Sequence, residues 1–169
     1  KPVIYSAAFS DGWTPSDIIM DTPIIFPQNG PRGYWKPTNF EKKFYGPTTL
    51  REALIRSRNV VTVKLANAVG VAKVIKRARD FGIRAPLQPN LSIALGSSGI
   101  TLLELTSLYA TLANQGRRVE PHIIRWVENS EGKSIWNAKP AEIQSIPPEE
   151  AYVMLSLLQN VIQSGTAIR

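Results

Sequence analysis

Six prolines, at positions 15, 23, 27, 31, 37 and 47, fall between Trp13 and Pro47, with Gly30 and Gly33 among them. Each proline lacks a backbone donor and fixes its own φ, so no long helix or central strand can run through these residues. The same stretch holds Trp13, Phe26, Tyr34, Trp35, Phe40, Phe44 and Tyr45, and disordered linkers are poor in aromatic side chains. The expectation is an ordered, packed loop, of a length that is often functional. Regular structure has to be built on either side of it.

Ahead of the loop, Lys1 to Phe9 is compact and apolar, with Tyr5, Ala7 and Ala8, and reads as the tail of a helix that Gly12 ends. Behind it, residues Thr48 to Gln115 are helical in pattern. Thr49-Leu50-Arg51-Glu52 and Thr101-Leu102-Leu103-Glu104 both fit a capping box, in which hydroxyl and carboxylate each satisfy an orphan amide. Val61, Leu65, Ala68 and Val69 precede Gly70, and Val71 to Phe81 precede Gly82. Leu102, Leu105, Tyr109 and Leu112 fall on one helical face before Gly116, which suits a left-handed C-cap. Short helices, tightly joined, are the expected outcome.

The period then changes. Ile123, Arg125 and Val127 alternate with Ile124 and Trp126, residues 129–133 supply turn chemistry, and Ser134-Ile135-Trp136 resumes, which predicts a β-hairpin. After Pro147-Pro148 and Glu149-Glu150, residues Tyr152 to Gln163 are apolar on nearly all sides and predict a helix that something must cover. The fold class expected is α+β, mostly helical, with one hairpin.

A chain of 169 residues is long enough for one core. It has no cysteine, which removes thiolate metal sites, and its single histidine gives no basis for assembling a histidine metal site or a Ser-His-Asp triad. His122 reads as an exposed strand residue. The formal charge is +7, which leaves nucleic acid or an anionic surface open as partners. Its densest part, Lys73, Lys76, Arg77, Arg79 and Arg84, alternates with apolar residues at helical spacing and reads as a solvated face; no aromatic residues interleave it as in a nucleic-acid groove.

Ala53 to Val63 carries Ser57-Arg58-Asn59, and this segment strongly resembles the Ser-x-Asn region of penicillin-binding transpeptidases. Lys1-Pro2-Val3-Ile4-Tyr5-Ser6-Ala7-Ala8 resembles the run that continues that family's Ser-x-x-Lys motif, with Lys1 as the motif lysine. Trp35-Lys36-Pro37-Thr38-Asn39, Ala94-Leu95-Gly96, Thr101 to Leu105 and Gln163-Ser164-Gly165-Thr166-Ala167 follow in the order of bifunctional, class A proteins. The resemblance spans essentially the whole chain, and identifies residues 1–169 as part of a transpeptidase domain truncated at both ends.

That resemblance implies a penicillin-binding/β-lactamase-like domain that transfers the acyl group of D-Ala-D-Ala stem peptides through an acyl-serine. Lys1 and Ser57 are the implied catalytic residues and Asn59 the implied substrate ligand; Arg58 is expected to point away. No cofactor is implied. The nucleophilic serine and the Lys-Thr-Gly strand are expected outside these residues, which would leave them inactive alone. So are a membrane tether and a glycosyltransferase domain at the extracytoplasmic face. Implied partners are peptidoglycan stem peptides and β-lactams, not nucleic acid. Tyr34 and Trp35 are read as packing anchors rather than cleft walls. The rival readings are a noncatalytic basic helical module and a D,D-carboxypeptidase or β-lactamase relative.

Overall fold

The computed structural model describes residues 1–27 and 33–168. Gly30 and Pro31 of the proline-rich stretch lie outside the described residues. In chain order the elements are α1 (Pro2–Ser10), β1 (Ile18–Asp21), β2 (Phe26–Pro27), β3 (Tyr34–Trp35), β4 (Gly46–Thr49), α2 (Leu50–Ile55), α3 (Asn59–Val69), α4 (Val71–Asp80), a 3-10 turn (Leu91–Leu95), α5 (Leu102–Ala113), β5 (Arg117–Val119), β6 (Trp126–Glu128), β7 (Ser134–Asn137), β8 (Glu142–Gln144) and α6 (Pro148–Ser164).

The core is helical and α1 lies at its centre, packed against α3, α4 and α6. Its Ile4, Tyr5, Ala7 and Ala8 are buried, and the small Ala side chains let neighbouring helices come close. Val61, Val63 and Leu65 of α3 pack there with Leu50 and Leu54 of α2, and Met154 and Leu157 enter from α6. Each such side chain removed from water contributes about 1.5–3 kcal/mol. One hydrogen bond crosses this core: the Tyr5 hydroxyl lies 3.3 Å from Thr62 Oγ1, tying α1 to α3.

The proline-rich stretch packs, and also forms ladders that its sequence concealed. β1 pairs antiparallel with β4, Ile18 opposite Thr49 and Asp21 opposite Gly46, and β2 pairs with β3. Proline is tolerated because these are two-stranded ribbons, all edge. Trp35 stacks tilted on Phe26 at 6.0 Å and packs against the core. Tyr34 is exposed beside Lys36.

Several expectations need correction. The helical pattern breaks between Phe81 and Thr101, where Pro86, Pro89 and Gly96 leave only the 3-10 turn. The hairpin forms, with a bulge at Val127 and Glu128, but starts at Trp126, so Ile123 and Arg125 stand outside it. His122 is exposed, in the loop after β5 and not on a strand. Strand β8, which pairs with β5 and closes the hairpin's base, was not foreseen. The apolar stripe on α5 is only partly covered: Leu112 is buried, but Leu102 is 78% exposed, and Leu105 and Tyr109 also face water. The buried side of α5 is carried by Leu108, Thr111 and Leu112.

The basic helix α4 is not simply wet either. Arg77 is buried and paired with Glu150 of α6 at 3.3 Å. Lys73 pairs with Asp11, Lys76 with Asp80, and Arg84 with Glu120, while Arg79 donates to the carbonyls of Ile83 and Ala85.

Candidate active site

The turn between α2 and α3 is three residues long, Arg56-Ser57-Arg58, and carries strain at Ser57. Helix α2 starts from Thr49, whose hydroxyl accepts from the Glu52 amide at 3.2 Å. The capping box is only half formed, because the Glu52 carboxylate turns to Arg56 at 2.9 Å instead of back to Thr49. At the other end Ser57 adopts φ +56°, in the left-handed region. A serine held there costs about 1–3 kcal/mol and persists only where the surroundings enforce it. The conformation points the Ser57 carbonyl at Lys1.

Lys1 stands at the N-terminus of α1, and its ammonium meets three acceptors far away in sequence. Its Nζ donates to Ser57 O at 2.5 Å, Ser57 Oγ at 2.8 Å and Asn59 Oδ1 at 3.0 Å. An ammonium has three donors, so this cation is fully satisfied by one turn of chain. The structure therefore brings Lys1, Ser57 and Asn59 together. Register is set one helical turn deeper by the Tyr5 to Thr62 contact, since Tyr5 follows Lys1 by four residues and Thr62 follows Asn59 by three.

Burial lowers the pKa of the Lys1 side chain from 10.5 to about 8, opposed by the negative charge of Glu41. Desolvation penalises the charged form, so an amine in this position is neutral for an appreciable fraction of the time near pH 8. Glu41 is itself held by Arg58, whose guanidinium is 3.0 Å from its carboxylate and 3.4 Å above the Tyr45 ring. Arg58 thus turns away from Lys1 and braces the other side of the turn.

Sequence reasoning missed what holds Asn59. Helix α3 opens directly after Arg58, which offers no side-chain cap, so its first amides must find an acceptor elsewhere. They find Asn39, 2% exposed, whose Oδ1 accepts from Asn59 N at 2.9 Å and Val60 N at 3.2 Å. Asn39 Nδ2 in turn donates to both carboxylate oxygens of buried Asp21, at 3.0 and 2.8 Å, and to Lys43 O at 2.8 Å. The Asn59 side-chain Nδ2 donates to Thr38 O at 3.3 Å. The signal in the sequence was the absent local cap. Trp35 and Tyr34, from the same loop, make no contact with Lys1 among its hydrogen bonds.

The family description "Penicillin binding protein transpeptidase domain" matches residues 1–169. Penicillin-binding protein 1A of Neisseria gonorrhoeae is 37% identical over 174 residues, which cover 99% of the chain and 22% of that relative. The crystal structure of penicillin-binding protein 1A from Haemophilus influenzae superposes with a TM-score of 0.88 at 26% identity, over 99% of the chain and 30% of that structure. Penicillin-binding protein A from M. tuberculosis, solved as an imipenem acyl-enzyme complex, shares the fold at a TM-score of 0.81 and 20% identity, over 96% of the chain and 42% of its own. The chain spans about a fifth of the length of the curated relative.

Proposed function

The chain belongs to the penicillin-binding protein transpeptidase family, and from that premise we propose that it supplies the lysine and Ser-x-Asn portion of a peptidoglycan D,D-transpeptidase that β-lactams acylate. The observation that carries the reading is the 2.8 Å contact between Lys1 Nζ and Ser57 Oγ, across 56 residues of chain. A lysine and a hydroxyl so placed form a proton path, and burial tunes the lysine toward the pH at which it can accept.

In this mechanism the attacking serine lies three residues ahead of Lys1, one turn away on the same helix face. Neutral Lys1 takes the serine hydroxyl proton as the oxygen attacks the carbonyl of the penultimate D-Ala. Ser57, a donor and acceptor at once, passes a proton to the departing D-Ala nitrogen. An acceptor amine on a second stem peptide then attacks the acyl-serine, losing a proton to the same path and restoring the serine. Asn59 orients the stem through its amide. Oxyanion donors, the Lys-Thr-Gly strand, a glycosyltransferase domain and a tether at the extracytoplasmic membrane face belong to the rest of the protein. No helix among the described residues is long and apolar enough to cross a membrane.

The test is intact mass and peptide mapping of the full-length protein after exposure to a labelled penicillin. The expected adduct sits on the serine three residues before Lys1, and Ser57→Ala slows its formation by about 10²- to 10⁴-fold, the usual worth of a positioned acid–base group. A folded protein that takes no label, or takes it elsewhere, ends the transpeptidase reading.

A further inference from the structure

A helix of 11 residues that begins without a local cap, yet presents its first side chain to a catalytic lysine, needs its N-terminus fixed from outside. Asn39 does this with one oxygen, bound by the amides of Asn59 and Val60. Its nitrogen is spent on Asp21, at the end of β1, and on Lys43 O. The orientation of this amide is dictated by its neighbours: the oxygen faces two N–H groups and the nitrogen faces a carboxylate and a carbonyl. Asp21 is fully buried, and β1 is locked to β4, which leads directly into α2. The unit therefore ties the start of α3 to the strand pair that launches α2. The strained Ser57 lies between those two anchored ends, and Lys1 draws all three of its acceptors from Ser57 and Asn59.

We infer that Asn39, oriented by Asp21, is a positioning residue that sets the Ser57 to Asn59 turn against Lys1 for the acyl-transfer step. The inference rests on the transpeptidase reading and adds to it a pair of residues that touch neither substrate nor the reacting atoms. The amide serves at position 39 opposite a carboxylate because it accepts on the α3 side and donates on the Asp21 side. Aspartate there accepts equally well but confronts Asp21 with no proton between them. Exchanging the two groups restores the donor–acceptor pairing between positions 39 and 21, and leaves Lys43 O without its donor in both variants that carry aspartate at 39. With Asp21→Asn and Asn39→Asp together, a carboxylate caps α3, where the helix dipole favours it, and the amide at 21 supplies the missing donor.

The experiment measures the rate constant of the covalent step, at saturating labelled penicillin, in the full-length protein. Asn39→Ala, Asn39→Asp, Asp21→Asn and the exchanged double variant are compared with Leu112→Ala, a core truncation on α5 that lowers thermal stability without touching the turn. Asn39→Asp and Asn39→Ala are expected to slow the covalent step by about 10- to 100-fold, the cost of misplacing an otherwise intact group by an ångström or so, with penicillin binding before that step little changed. The double variant is expected to recover most of the rate. Single variants that acylate at the wild-type rate, a Leu112→Ala that slows as much at equal stability, or a double variant no faster than Asn39→Asp each overturn the inference. Should Asn39→Ala fail to fold, Asn39→Asp against the double variant carries the comparison. A wild-type protein that forms no adduct overturns the transpeptidase reading itself, an outcome distinct from normal wild-type acylation with indifferent variants.

Discussion

At the scale of single residues, the site trades stability for geometry at Ser57. Glycine tolerates φ +56° without the clash a Cβ brings. Ser57→Gly is therefore expected to hold or raise stability, by up to about 1 kcal/mol, while slowing acylation, as denaturant unfolding and penicillin labelling would read together. Lys1 predicts a pH signature. Acylation should climb as pH rises toward about 8, where its side chain loses its proton. Because the folded pKa lies below the 10.5 of the free side chain, the folded state binds fewer protons in the interval between them, and stability rises with pH there. The penalty is fully present below about pH 8 and relieved above about 10.5. Denaturant midpoints between pH 7.5 and 10 should show the rise in the parent protein and a flatter profile in Lys1→Met.

At the scale of elements, α1 and α3 are joined by a hydrogen-bond chain with a direction. Thr62 Oγ1 donates to Arg58 O at 2.7 Å, so the Tyr5 hydroxyl donates to Thr62, and burial raises the pKa of that hydroxyl far enough to keep it protonated. Tyr5→Phe removes a donor and leaves Thr62 satisfied, which should cost under about 1 kcal/mol. Thr62→Val leaves a buried hydroxyl without its partner and should cost about 1–3 kcal/mol, a difference that paired denaturation curves would resolve. The same elements show what the sequence made legible. Helix ends were readable where the signal is local: Thr101 and Glu104 form the reciprocal box, and the carboxylate also takes the amides of Arg84 and Ala85. The cap on α3 was not, because Asn39 reaches it from another element, and local pattern carries no record of such a bond. The Lys1, Ser57 and Asn59 cluster was legible by resemblance alone, since no spacing rule joins residues this far apart.

At the scale of the whole molecule, the last helix is coupled to the Ser57 turn through a backbone contact. A Cβ on Gly165 would stand 2.6 Å from Ile55 O and 2.7 Å from Val161 O, and Thr166 N donates to that same Ile55 carbonyl at 3.3 Å. Gly165→Ala should push the end of α6 off α2, cost about 1–3 kcal/mol as overpacking does, and slow acylation through the nearby Ser57, which labelling of the full-length variant would show. Which way the α5 stripe turns is decided at this scale: periodicity marks which face is apolar, not what lies against it. That outward face, Leu102, Leu103, Leu105 and Tyr109, sets how residues 1–169 behave in concentrated solution. Molecules carrying a net charge of +7 repel one another at low ionic strength, and added salt screens that repulsion while leaving the leucines as sticky as before. The second virial coefficient should fall from positive to negative as salt is raised, and Leu102→Lys should keep it positive.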